Sequence, residues 1–165
     1  IKSSAASDVY KRQANMEYMC KLIGIQAISF DKMNQLRHVK FLQNKEHTLA
    51  LMKEHAKILK PKFDMVVSTL EREIAPLGIA TWHKPKGGYF VSVNTTPGLA
   101  KRTLALCKEA GVVMTSAGAT YPYGHDPADS NIRVAPSLPP VEELEQAMAI
   151  FCCCLKLAAL EKSKK

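Results

Sequence analysis

Arg133 stands between Ile132 and Val134 in the stretch SNIRVAP, residues 130–136, a short apolar run closed by proline. Its guanidinium is a planar, permanently charged fork of donors, shaped for two-point contact with a carboxylate. A charge at such a position is costly unless an anion meets it. On the residues alone two partners are open: an internal carboxylate, Asp126 or Asp129, or a ligand from outside. The segment from Thr115 to Arg133 also holds a turn at Gly118, two tyrosines and a histidine, and binding groups concentrate on loops held by a scaffold. Tyr121 and Tyr123 are candidates to line a carboxylate pocket beside Arg133. His125 has no evident serine or cysteine to activate and reads as a surface residue. Gly87 and Gly88 read as a turn, because no helix N-terminus follows to make an anion site. Cys152, Cys153 and Cys154 are consecutive, so on a helix they point about 100° apart and do not converge on a metal. Reduced thiols of a cytoplasmic protein are expected.

The elements that position these groups follow from periodicity. Residues 14–44 read as two short helices divided at GIQAISFD, with Asp31 as N-cap of the second. Leu49, Met52, Ala56, Leu59, Phe63, Val66, Leu70 and Ile74 recur at steps of three and four through Pro61, which predicts one long helix kinked there. IATW, the turn KPKGG and YFVSV read as a hairpin, with Trp82 in the core. A helix ended by Gly111, a short strand VVMTS, the polar loop, the strand NIRVAP and a closing helix from Val141 to Leu160 complete the chain. The order is helices, βαβ-like elements, then a helix. It fits an α/β or α+β layer with helices on a small sheet.

The 165 residues carry a formal net charge of +8. Lys2, Lys11, Arg12 and Asp8 contribute +2 of it, and the rest is scattered without an arginine-rich block or a nucleic-acid-binding strand motif, so no nucleic acid partner is expected. No apolar run approaches a membrane span, and no membrane partner is expected. Read back into codons, Ser3 to Gln13 resembles the transposase adapter of sequencing libraries. Residues 1–13 are therefore expected to be no part of the fold.

KPKGGYFVSV, then EAGVVMTSAGATYPYG, then DSNIRVAPSLPPVEELEQAM, in this order and at these separations, resemble the C-terminal part of a fold type I pyridoxal-phosphate-dependent aminotransferase. The similarity is closest to a divergent bacterial aspartate aminotransferase branch, whose members share a stretch like GIQAISFDKMNQLRHVKF. It covers Ala14 to about Leu160. The resemblance implies that residues 14–44 end a large cofactor domain, that 45–160 form the connecting helix and small domain, and that 161–165 are a basic tail. It implies that Arg133 binds the α-carboxylate of an amino or 2-oxo acid. It places Asn34 and Gln35 where relatives reach across a homodimer to the neighbouring cofactor phosphate, and Arg37 as a candidate for a side-chain carboxylate. Met16, Met19 and Met33 would pack at a domain interface. The Schiff-base lysine lies upstream in such enzymes, and Lys21, Lys32 and Lys40 do not match its context, so a catalytically incomplete fragment is expected. The alternative is a stand-alone carboxylate-binding module.

Overall fold

The computed structural model describes residues 13–27 and 29–164. All but the last residue of the expected adapter lie outside them. The chain divides into two compact units, residues 1–50 and 51–165. Helices α1 (Gln13–Gln26) and α2 (Lys32–Leu42) belong to the first, and α3 (Lys45–Glu73) runs from the first into the second. As expected, Asp31 caps α2: its carboxylate accepts the Asn34 backbone N–H at 2.9 Å. Neither α1 nor α2 buries a residue.

The second unit has a core. Pro61 sits inside α3, which continues through it to bury Val66, Thr69 and Leu70. Then come β1 (Ala80–Trp82), β2 (Val91–Thr95), α4 (Ala100–Glu109), β3 (Asn131–Val134) and α5 (Val141–Ser163). The sheet order is β1-β2-β3. One face of β2 and β3, with Val91, Val93, Ile132 and Val134, meets Leu70 and Ile74, Leu106 of α4, and Met148, Phe151 and Leu155 of α5. Full burial of side chains such as Phe151 or Leu70 stabilises the unit by about 1.5–3 kcal/mol each. Trp82 packs half-buried against this cluster.

Three expectations are corrected. The elements read as βαβ-like pair antiparallel throughout, with Trp82 opposite Val93 and Arg133 opposite Ser92. The reason is the return path after α4: residues 112–129 bring the chain back to the end of β2, where Thr95 N–H reaches Ser130 O and Gly98 N–H reaches Ala128 O. Secondly, VVMTS is no strand. Gly111 (φ 88°) ends α4 with Val112 N–H on Cys107 O and its own N–H on Lys108 O, a Schellman arrangement. Beyond it Val112–Ser116 run without a ladder partner, and Val113 is largely exposed. Apolar, β-branched composition favours a strand only where another strand accepts it. Thirdly, α5 runs past Leu160 to Ser163, because Arg102 makes two hydrogen bonds with the Glu161 carboxylate (2.7 and 2.8 Å) and Lys162 reaches the Pro97 carbonyl.

Candidate functional site

Strand alternation sends Ser92 and Asn94 of β2, with Asn131 and Arg133 of β3, to the sheet face opposite the core. Buried Asn131 organises it. Its Nδ2 donates to Ser92 Oγ (2.9 Å) and Asn94 Oδ1 (2.7 Å), and its Oδ1 accepts from Thr120 Oγ1 (2.7 Å), which ties the sheet to the loop before β3.

That loop is held from within. Gly118 (φ 80°) lies so close to Gly124 that a Cβ there would fall 2.2 Å from the Gly124 carbonyl oxygen. Only glycine fits. Asp126, buried, accepts the backbone N–H groups of Asn131 (2.8 Å), Ser130 (2.8 Å) and Ala128 (3.0 Å). These donors, Asn131 first, hold its carboxyl below the usual carboxylate range. Asp129 turns elsewhere: its Oδ1 accepts from Lys101 N (3.1 Å) and its carbonyl from Ala100 N (3.0 Å), which serves the first turn of α4 where Leu99 offers no side-chain cap.

Both candidate internal partners of Arg133 are thus committed to backbone donors. Arg133 itself is half-buried and makes no hydrogen bond or ion pair among the described residues, and its Nε is fully screened from solvent without a partner. Its one described interaction is with Phe90, whose ring centroid lies 4.4 Å from the guanidinium carbon. Arg133 is one of the residues around a cavity of about 190 Å³ that is also lined by Met114, Thr115 and Pro139 and by the core residues Leu144, Met148 and Phe151. An unspent fork of donors can take a carboxylate.

The other expected residues are placed as follows. Tyr121 is over a third exposed, and Tyr123 (φ 57°) projects fully into solvent from the short 3-10 turn Pro122–Gly124. Neither borders the Arg133 cavity. Asn34, Gln35 and Arg37 lie exposed on α2, in the first unit. His125 is exposed, and Gly88 (φ 90°) serves the turn before β2. The five cysteines are free. Burial pushes the Cys107 thiol up to about 12 and the Cys152 thiol up to about 11, so both are protonated and unreactive. Among the described residues no cluster suits a metal ion, and no helix is long and apolar enough to cross a membrane. Sequence reasoning missed Phe90, Ser92, Asn94, Thr120 and Asn131. The available signal was alternation: in VSVNT the polar residues occupy every second position.

The aspartate amino-transferase family model matches residues 3–165. The chain belongs to that family. It is 47% identical over 138 residues to the aspartate aminotransferase of Corynebacterium glutamicum, which covers 84% of this chain and 32% of the relative. The chain therefore spans about a third of the length of the curated relatives it matches. A crystal structure of an aspartate transaminase from the same organism superposes with a TM-score of 0.81 at 44% identity, covering 91% of this chain and 35% of that one. The fold recurs in the α-aminoadipate aminotransferase of Thermus thermophilus (TM-score 0.61, 20% identity, 77% of this chain and 31% of that one), solved with a phosphopyridoxyl-leucine adduct. Every described lysine is exposed or half-buried, and Asn34 and Gln35, the candidate contacts for the phosphate of pyridoxal phosphate, lie exposed on α2.

Proposed function

We propose that this chain is the carboxylate-binding C-terminal portion of a pyridoxal-phosphate-dependent aminotransferase, which moves an amino group between an amino acid and a 2-oxo acid. The observation that carries the reading is the Arg133 guanidinium, without hydrogen bond or ion pair among the described residues and with its Nε buried and unpartnered. Arg133 binds the substrate α-carboxylate; Tyr121 and Tyr123, which do not line its cavity, are the weaker candidates for that pocket. Aspartate or glutamate as amino donor is supported by the 47% identity to an aspartate aminotransferase. Arg37, at the expected dimer edge, is the candidate for the second carboxylate of a substrate held by the other copy of a homodimer. Bound pyridoxal phosphate would supply the electron sink for the transfer. Its lysine and most of its phosphate contacts belong to sequence that this chain does not cover. In a homodimer, Asn34 and Gln35 would reach the phosphate held by the second copy. The setting is the cytoplasm.

The test grafts residues 14–160 in place of the matching segment of the Corynebacterium glutamicum enzyme. Arg133→Ala should lower kcat/KM for aspartate by about 30-fold to several thousand-fold, the equivalent of roughly 2–5 kcal/mol for breaking a desolvated charge pair. Arg133→Lys should restore only part of it, since a point charge does not reproduce the planar fork. An amine lacking the α-carboxylate should react equally well with all three. Equal losses with that amine would make Arg133 a structural residue. The ungrafted chain, treated with pyridoxal phosphate and borohydride, should show no stoichiometric adduct on one lysine by intact mass. Such an adduct would contradict the proposed division of labour.

A further inference from the structure

Phe90 lies outside the buried core and is 45% exposed, although it directly precedes a strand whose alternate residues are fully buried. Continuing the alternation of β2 backwards puts it on the face of Ser92 and Asn94, diagonal to Arg133, which pairs with Ser92. Aromatic side chains reach across such a diagonal. The ring meets the guanidinium carbon 4.4 Å from its centroid, within the range of a cation–π contact. The same guanidinium makes no hydrogen bond among the described residues, and its Nε is buried without a partner.

We infer that Phe90 is a positioning residue for Arg133: its ring supports one side of the guanidinium and holds the fork ready for a carboxylate, leaving the N–H groups at its edge unspent. This rests on the carboxylate-binding role proposed for Arg133. Long side chains lose rotamer freedom when a ligand fixes them. A ring that restricts Arg133 beforehand reduces that loss without consuming a donor. A carboxylate in the place of Phe90 would hold the charge equally well, but it would compete with the ligand for the same donors. The aromatic face attracts the cation and leaves its hydrogen-bonding capacity intact.

The experiment titrates maleate, a plain dicarboxylate, into the full chain labelled with ¹⁵N-arginine, and follows the Arg133 Nε–Hε signal for both affinity and side-chain order parameter. Phe90→Leu keeps apolar bulk and removes the π-face. It should weaken maleate binding by about 2- to 30-fold, the span expected for an exposed to a desolvated cation–π contact, and lower the Arg133 Nε order parameter. Phe90→Tyr should keep both near the original values. Backbone amide shifts of Val93 and Ile132 should stay in place in both variants, which excludes a general disturbance of the sheet. Undiminished affinity and unchanged order in Phe90→Leu would overturn the inference, as would failure of Phe90→Tyr to preserve them. Arg133→Ala is the separate control: maleate binding that survives it, or no response in the unaltered chain, overturns the carboxylate reading, while the order parameter still decides on Phe90.

Discussion

Residues 13–50 and residues 51–164 have similarly apolar helices, yet only the second set owns a core. α1 and α2 carry Tyr18, Leu22, Ile23, Met33, Leu36 and Val39, each at least 38% exposed, whereas Val66, Leu70, Phe151 and Leu155 are wholly buried. What differs is whether other elements close over the apolar stripe, and helices of this length are marginal in water without such packing. Among the described residues, α1 and α2 thus leave their apolar side chains uncovered, while the second region encloses a core.

The largest expected difference is in hydrogen exchange. Amides of β2, α4 and α5 should be protected on the order of a thousand-fold or more beyond those of α1 and α2, because local opening ranges from almost free to the global unfolding free energy. Equal protection in α1 and α5 would break the comparison. Next comes truncation. Leu70→Ala should cost about 2–5 kcal/mol for its lost burial and cavity, and Met33→Ala at most ~0.5 kcal/mol. Urea unfolding followed by the fluorescence of Trp82, the single tryptophan, would measure both. A large Met33 effect would mean that α2 is packed after all.

Within the second region the loop before β3 sharpens the contrast between backbone freedom and crowding. Gly88→Ala meets open space and should cost about 1–2 kcal/mol for its left-handed backbone alone. Gly118→Ala adds a collision with the Gly124 carbonyl and should lower Tm further. Reversal of that order would remove the tight loop closure from the account.

The smallest expected effect is a pH dependence. The carboxyl of Asp126 has a folded pKa below its unfolded one, so its contribution is complete above the ordinary carboxylate range near pH ~4. It is lost as pH falls through the depressed folded value. Asp126→Asn should flatten this acid limb of the urea midpoint and leave the basic limb unchanged. An identical acid limb in the variant would show that the three backbone donors do not set the titration.

Much of this was legible in the chain. The step pattern from Leu49 to Ile74, the cap at Asp31 and the hairpin around KPKGG are local properties, written in spacing and residue type. What was not legible depends on partners distant in sequence. VVMTS has the composition of a strand and lacks a neighbour to pair with. The antiparallel direction of β3 is decided by where residues 112–129 return, and α5 gains its last turn from Arg102, some sixty residues earlier. Asn131 was visible beside Arg133, but its bonds to Ser92, Asn94 and Thr120 required the register of two strands and the fold of a loop.

The period-two alternation of β2 and β3 assigns the two faces of one sheet to separate tasks. Val91, Val93, Ile132 and Val134 answer to the helices beneath, while Ser92, Asn94 and Arg133, with Phe90 beside them, do not. Change in ligand preference can then accumulate on alternate positions of the same strands while the intervening residues go on specifying the fold. Such a sheet can diverge in selectivity and keep its heritable architecture, since the two kinds of substitution fall on neighbouring residues that never share a face.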